Sequence, residues 1–261
     1  NENTRYRKAS NQGKVNKVYK AEYLNRKSVY YEVLDQILVS AKRNPKFAAK
    51  VEQSESSIRK MTQAVSYKPL VSIIMPTYNR ANVILNAIKS VLQQKYENWE
   101  LLICDDASTD NTESVVSKIK DSRIKYFKLS KMGAAAARNV GLRNSRGELI
   151  AYLDSDNIWS PYFLEVMVGT LTRKTGFFCA YCNYIDVVCE NGSYRVKRFN
   201  SRFFNYEELS TKNFIDLNTF MHRRELYESF GGFNETLKRQ QDWDLILKYT
   251  FLRDPLYVDT F

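Results

Sequence analysis

Hydrophobic positions along the chain change texture near residue 68. Before that point they recur at helical spacing. Val18, Tyr19, Tyr23, Leu24, Val29, Tyr30, Val33, Leu34, Ile37 and Leu38 mark one face of a helix over residues 18–43. Pro45 ends it, because proline offers no amide donor and its ring clashes with the preceding turn. A second, more polar helix is predicted from Pro45 to about Val65, closed by Lys68-Pro69.

From Leu70 onward the apolar residues come in short unbroken runs. Residues 70–75, 100–104, 124–127 and 149–153 read as buried strands, the first stopped by Pro76. Between them Asn82 is placed to cap a helix running to Leu92. Residues 108–112 open another helix with Glu113 in its first turn, and 133–144 form an Ala-rich helix. Strands alternating with helices of this length predict an α/β fold, a doubly wound, mostly parallel sheet.

Past Trp159 the pattern loosens. It predicts a helix over 162–171, a strand over 177–188, a turn at Glu190-Asn191-Gly192 and a second run at 194–196. A polar, aromatic loop follows at 200–212. An extended 220–224 leads into a helix ending at Gly231-Gly232, and a last helix spans 240–251 before a strand-like 255–258. The organisation expected is a helical segment over 1–67 and an α/β domain over 68–261. Starting at Asn1 and stopping just after a strand-like run, the sequence reads as an excised piece of a longer protein, cut short at its C-terminus.

Charge sharpens this division. The whole chain carries +11, but residues 1–69 hold 15 basic and 6 acidic side chains, net +9, leaving 25 against 23, net +2, for the rest. The basic helices fit an anionic membrane surface or an adjoining domain. Nucleic acid is not expected as a partner, since no nucleic-acid motif accompanies the charge. No run approaches the roughly 18 apolar residues of a membrane span. Cys104, Cys179, Cys182 and Cys189 lie in or beside apolar runs. With no second Cys pair and His222 the only histidine, they read as free thiols in a reducing compartment rather than zinc ligands.

The chemistry centres on residues 151–157, where an apolar run ends in Asp154-Ser155-Asp156. Ligands of open α/β sheets bind at the carboxyl ends of strands. Two carboxylates one residue apart suit a hard cation such as Mg²⁺ or Mn²⁺, which commonly bridges to substrate phosphates. The alternative is a pair of solvated turn acids.

Other motifs fall in a definite order around this pair. Val71-Ser72-Ile73-Ile74-Met75-Pro76-Thr77-Tyr78-Asn79-Arg80 comes first, then Asp105-Asp106-Ala107-Ser108-Thr109-Asp110. Gly133, four alanines, Arg138-Asn139 and Gly141 precede the acid pair. Gly231-Gly232-Phe233-Asn234-Glu235 and Gln241-Asp242-Trp243-Asp244 close the set. From Lys68 to the end, the chain resembles the family 2 inverting glycosyltransferases of GT-A fold; residues 1–67 lie outside the resemblance.

The resemblance implies a nucleotide diphosphate sugar as donor, most often a UDP-sugar, and transfer to a glycan or lipid-linked acceptor in surface polysaccharide synthesis. It places the enzyme in the cytoplasm, peripheral to the inner face of a membrane. Pro76, Thr77 and Tyr78 would leave the first strand at the nucleobase, with Tyr78 stacked on it and Asp106 accepting the uracil imide N–H. As alternatives, Tyr78 is a packing aromatic and Asp106 a helix cap. Arg80 and Arg138 would hold the diphosphate, although a surface ion pair is open to Arg138. Gly133 would let the backbone approach the donor. Asp154 and Ser155 would contact the donor, and Asp156, with Asp154, would hold Mn²⁺ or Mg²⁺. His222 is a further possible ligand, or a structural histidine. Asp242 would be the general base of a single displacement, with Trp243 beside it offering a face for a sugar. Alternatively, Asp242 caps its helix and Asp244 is the base. Relatives often carry Glu-Asp where this chain has Gln241-Asp242, so one neighbouring charge is missing. Rival readings are a catalytically inactive nucleotide-sugar or glycan binding module of the same fold and a nucleotidyltransferase, though no Gly-rich triphosphate loop is present.

Overall fold

The computed structural model describes residues 28–41, 45–62, 67–190 and 193–260. Two helices come first, α1 (Val29–Ala41) and α2 (Pro45–Met61). The part of the first predicted helix before residue 28 lies outside the described residues. An alternating core follows: β1 (Val71–Thr77), α3 (Ile84–Leu92), β2 (Trp99–Asp105), α4 (Thr112–Ser117), β3 (Ile124–Lys128), α5 (Ala134–Asn144), β4 (Leu149–Tyr152) and α6 (Phe163–Arg173). Next are β5 (Cys179–Cys182), β6 (Tyr184–Glu190), β7 (Ser193–Asn200), α7 (Tyr206–Thr211) and a 3₁₀ turn at Leu217–Thr219. β8 (Phe220–Arg223), α8 (Arg224–Phe230), α9 (Gln241–Thr250) and β9 (Leu256–Val258) complete it.

Seven strands form one sheet in the order β3-β2-β1-β4-β8-β5-β9. Ladders from β3 to β4 are parallel, as the alternating pattern predicts, while β8 runs antiparallel to both neighbours, β4 and β5. The chain steps outward from β1 to β3 and then returns to the other side of β1 with β4. That reversal opens a crevice at the carboxyl ends of β1 and β4, where open α/β sheets bind ligands. β1, β2 and β4 are buried throughout, and two hydrophobic clusters cover the two faces of the sheet.

Several local expectations change. Pro76 does not stop β1, which continues to Thr77. Ile74 turns its carbonyl towards β4, accepting the Leu153 N–H at 3.1 Å. Two residues on, Pro76 faces the same side beyond the end of β4, where no ladder donor is needed. The helix after β1 starts at Ile84 without a side-chain cap, so Asn82 does not cap it. The predicted strand 177–188 is cut at Asn183. β5 stays in the main sheet, whereas β6 leaves it and pairs with β7 as a separate hairpin. The predicted loop 200–212 contains α7, capped by the Asn205 side chain on the Glu208 N–H at 2.8 Å.

α1 and α2 dock on this framework. Tyr31, Leu34, Ile37 and Val51 form a third small core with Ile185, Tyr194, Val196 and Phe199 of the hairpin. Cys104, Cys179 and Cys182 are buried free thiols, and Cys189 is exposed. At the amino end of the sheet, away from the crevice, Glu100 of β2 is buried. Burial alone would raise its pKa. Ser72 Oγ at 2.8 Å, the Arg146 backbone N–H at 2.7 Å, Lys125 Nζ at 3.1 Å and the Arg146 guanidinium at 2.9 Å instead hold it below the ordinary Glu value.

Candidate active site

The loops leaving β1 and β2 are stitched together before any ligand is considered. Asn79 Oδ1 accepts the Thr109 N–H at 2.8 Å, and the Arg80 N–H donates to Thr112 Oγ1 at 2.9 Å. Among the described residues, Asn79, Ala107 and Gln240 are the non-glycine positions with positive φ, at 52°, 64° and 60°. Asn79 and Ala107 lie beside Tyr78 and Asp106, and Gln240 leads into the helix that carries Asp242. Left-handed backbone costs an alanine about 1–2 kcal/mol, and such strain collects at functional sites.

Asp106 opens the turn after β2 and is 4% exposed. Its Oδ1 accepts the N–H groups of Met132 at 2.6 Å and Gly133 at 3.0 Å, and Lys131 Nζ stands 2.8 Å from Oδ2. Burial would raise its pKa, but Lys131 and the two amides hold it below the ordinary Asp value. Gly133 adopts φ 93° at the start of α5, a backbone that places its N–H on Asp106. Lys131 Nζ also lies 2.9 Å from the centroid of the Tyr78 ring, so one ammonium covers both residues assigned to the nucleobase. Nothing in the sequence pattern singled out Lys131. Thr77 Oγ1, at the end of β1, is buried without a hydrogen-bond partner.

The acid pair follows β4. Arg138 Nη2 donates to Asp154 Oδ1 at 2.7 Å, and Arg80 Nε lies 3.5 Å from Asp156 Oδ2. Both arginines assigned to the diphosphate therefore hold the acid pair here. Ser155, between the acids, is buried. Asn218 Oδ1 accepts the Asp154 N–H at 2.6 Å, while its Nδ2 reaches Asp216 Oδ1 at 2.7 Å and Asp154 Oδ2 at 3.4 Å.

Asp216 is the acid the sequence reading missed. It caps the 3₁₀ turn, as an isolated Asp in an irregular stretch often does, and only the fold brings it to the acid pair. Burial raises its pKa, and the nearby Asp154 and Asp242 carboxylates raise it further. Asp242, in the first turn of α9, thus lies on the same side as Asp154, and Asn213 Nδ2 approaches its Oδ2 at 3.4 Å. Asp244 acts electrostatically on Lys248 of its own helix instead.

One expectation is corrected. His222 lies on β8, fully buried, with Nε2 2.9 Å from the Tyr152 hydroxyl and Nδ1 2.8 Å from the Arg223 carbonyl. Both ring nitrogens are engaged in the core, so it does not join the acids as a metal ligand. Burial pushes its pKa down to about 4. Trp243 is half-buried against the core on α9, and its indole N–H donates to the Leu209 carbonyl at 2.7 Å.

The mostly parallel sheet flanked by helices is of the GT-A class of α/β folds. The chain belongs to glycosyl transferase family 2, whose family model matches residues 72–230. Over 116 residues it is 48% identical to the Escherichia coli UDP-Glc:alpha-D-GlcNAc-diphosphoundecaprenol beta-1,3-glucosyltransferase WfgD, covering 44% of this chain and 46% of that one. The chain therefore spans about half the length of that relative. Among solved structures it is similar to S. aureus TarS in complex with UDP, with TM-score 0.58 and 22% identity over 72% of this chain and 57% of that one. It is also similar to the mannosyltransferase PcManGT from Pyrobaculum calidifontis in complex with GDP-Man and Mn²⁺, with TM-score 0.55 and 21% identity over 80% of this chain and 62% of that one.

Proposed function

We propose that the chain transfers a sugar, with inversion, from a UDP-sugar to a hydroxyl of a glycan or lipid-linked acceptor in surface polysaccharide synthesis. The observation that carries the reading is the Asn218 bridge, whose Nδ2 meets Asp216 Oδ1 at 2.7 Å and Asp154 Oδ2 at 3.4 Å on the 3₁₀ turn against which the helix carrying Asp242 packs. In this reading the acid pair and the candidate base border one cleft at the sheet's switch point. The name of the WfgD relative, with its UDP-glucose donor and lipid-diphosphate acceptor, supports the same substrate classes.

In this reading the base stacks on Tyr78 where β1 ends, with Pro76 and Thr77 shaping the loop, and Asp106 Oδ2 accepts the uracil imide N–H once Lys131 swings away. Asp106 Oδ1 is already taken by two amides. Only one oxygen faces the base, which suits the single imide donor of uracil better than the paired donors of guanine. Asp154 and Ser155 border the sugar and diphosphate, and Arg80 turns from Asp156 to the phosphates when the donor arrives.

Asp154 and Asp156 fit a hard divalent cation by donor chemistry, since both present carboxylate oxygens. Among the described residues no three His, Cys, Asp or Glu side chains form a metal cage, so such an ion would also need the donor's phosphate oxygens. When bound, it supplies Lewis-acid assistance to the leaving diphosphate. Asp242 takes the proton of the acceptor hydroxyl as that oxygen attacks the anomeric carbon from the face opposite the leaving group. With one base and no protein nucleophile, an α-linked donor gives a β-linked product.

The test is UDP release from UDP-glucose with Mn²⁺ and N-acetylglucosaminyl diphosphate lipid, compared between wild type and Asp242→Asn. The variant should lose roughly 10²–10⁴-fold in kcat, the usual contribution of a general base, while its UDP affinity stays within twofold. UDP binding without release by the wild type would favour the inactive binding module. EDTA should abolish turnover, and Mn²⁺ should restore it.

In this proposal α1 and α2, packed on the hairpin, serve as a docking or membrane-surface element. No described helix is long and apolar enough to cross one.

A further inference from the structure

The turn that carries Asn218 sits against the loop of the acid pair. Leu217–Thr219 is a single 3₁₀ turn capped by Asp216, whose Oδ1 accepts the Asn218 N–H at 2.8 Å. From this base the Asn218 side chain reaches across to the residues that follow β4. Its Oδ1 accepts the Asp154 N–H at 2.6 Å, and its Nδ2 reaches Asp216 Oδ1 at 2.7 Å and Asp154 Oδ2 at 3.4 Å. Its backbone carbonyl accepts the Trp159 indole N–H at 2.7 Å. Trp159 is in turn fixed, buried with its ring stacked on Phe163 at 4.2 Å. One residue therefore holds the loop at both ends, at Asp154 and at Trp159, with Asp156 between them. Within the loop the Asn157 N–H closes a turn on the Asp154 carbonyl at 3.0 Å.

We propose that Asn218 is the positioning residue of the acid pair: it sets the direction of the Asp154 carboxylate and the path of the loop that carries Asp156. Its consequence for a cation and for the donor rests on the glycosyltransferase reading above. The chemistry of an amide explains the residue type, because Asn carries an acceptor and a donor on one rigid plane. The acceptor must face the Asp154 N–H and the donor must face two carboxylates, so the amide has a single satisfied orientation. It also places a donor between two like charges, Asp154 and Asp216, that would otherwise repel without compensation. An aspartate here would add a third carboxylate, and an apolar side chain would leave the Asp154 N–H unpaired. Arg138 Nη2 takes Asp154 Oδ1 at 2.7 Å from its own helix, so that carboxylate is held between a guanidinium and an amide. Asp156 is tied less closely, with Arg80 Nε 3.5 Å from its Oδ2 and both side chains about half exposed. The place of Asp156 therefore follows the loop, and the loop follows Asn218.

The experiment compares the 261-residue wild type with Asn218→Ala by two readouts. Amide hydrogen exchange on the unliganded chain reports the positioning itself. The Asp154 N–H should exchange at least about tenfold faster in the variant, while amides within β4 keep their rates. Calorimetric titration with UDP, once in Mn²⁺ and once in EDTA, reports the consequence. Affinity in Mn²⁺ should fall by about tenfold to a hundredfold, the range for partners that orient metal ligands, while affinity in EDTA stays within about twofold. A residue that only supported the fold would lower both affinities together. Asn218→Ser, too short to reach Asp154 yet still polar beside Asp216, carries the same expectations should the alanine variant misfold. Unchanged Asp154 exchange, or equal losses in Mn²⁺ and EDTA, overturns the proposal. Faster Asp154 exchange in a protein whose wild type binds UDP equally with and without Mn²⁺ supports the positioning and counts against the metal reading alone.

Discussion

Arg138 Nη2 sits 2.7 Å from Asp154 Oδ1, joining the Ala-rich helix to the first acid of the pair. The guanidinium is mostly buried, and its Nε is enclosed without a hydrogen-bond partner. The arginine thus orients the carboxylate and keeps one donor in reserve. Arg138→Met should leave Asp154 uncompensated and lower stability by about 1–3 kcal/mol in urea denaturation. In the presence of Mn²⁺ it should also weaken UDP-sugar binding by tenfold or more. Arg138→Lys should recover little of either, because an ammonium lacks the planar fork. Full rescue by lysine would reduce the contact to simple charge pairing.

Asn139, one residue on, fastens α5 to the loop before α9. Its Oδ1 accepts the Phe233 N–H at 2.8 Å and its Nδ2 donates to the Phe233 carbonyl at 2.9 Å. A Cβ on Gly232 would stand 2.3 Å from Asn139 Oδ1, so only glycine lets this clamp close. Asn139→Ala and Gly232→Ala should each destabilise by roughly 1–3 kcal/mol, and the double variant by much less than the sum. Additive costs in that cycle would mean the two residues act separately.

His222 gives a pH signature. Burial lowers its pKa from 6.5 to about 4, so the folded protein holds it neutral where the unfolded chain is already protonated. The unfolded state therefore binds more protons between those limits. His222's contribution is complete above about pH 6.5 and is lost as pH falls towards 4, at about 1.4 kcal/mol per pH unit. His222→Phe should flatten thermal stability against pH in that window, at the expense of the Tyr152 hydrogen bond. An unchanged slope would show that other groups carry it.

Lys131 covers the Tyr78 ring and pairs with Asp106, the two positions where a uracil would sit. Lys131→Met should free both and tighten UDP binding about threefold by titration; weaker binding would instead make Lys131 a donor contact. The same variant has a pH test. Asp106 is held below its ordinary pKa of 3.8, so its stabilisation is present above that value and fades as pH falls through the folded pKa. The stability gap between wild type and variant should therefore be widest near neutrality and close in acid.

The sequence by itself determined the alternation of strands and helices, the parallel core and the order of the motifs. Those features are local: apolar runs, breakers and turn residues fix β1 to β4 and the helices between them, and carboxylates at strand ends mark where chemistry gathers. The places of Tyr78, Asp106, the Asp154/Asp156 pair and Asp242 at element ends were legible because each follows or opens such an element, while the roles proposed for them come from the family resemblance. Only the tertiary structure decided the pairings. Asp216, Lys131 and Asn218 sit in irregular segments with no periodicity to expose them, and their partners come from distant parts of the chain. His222 looked available as a ligand until β8 inserted between β4 and β5 and buried it; Arg138 was open to phosphate or to an ion pair until α5 brought it onto Asp154. A side chain's charge is written in the sequence, but whether it faces water, an ion or another side chain depends on which elements pack around it, and that is set by long-range contacts.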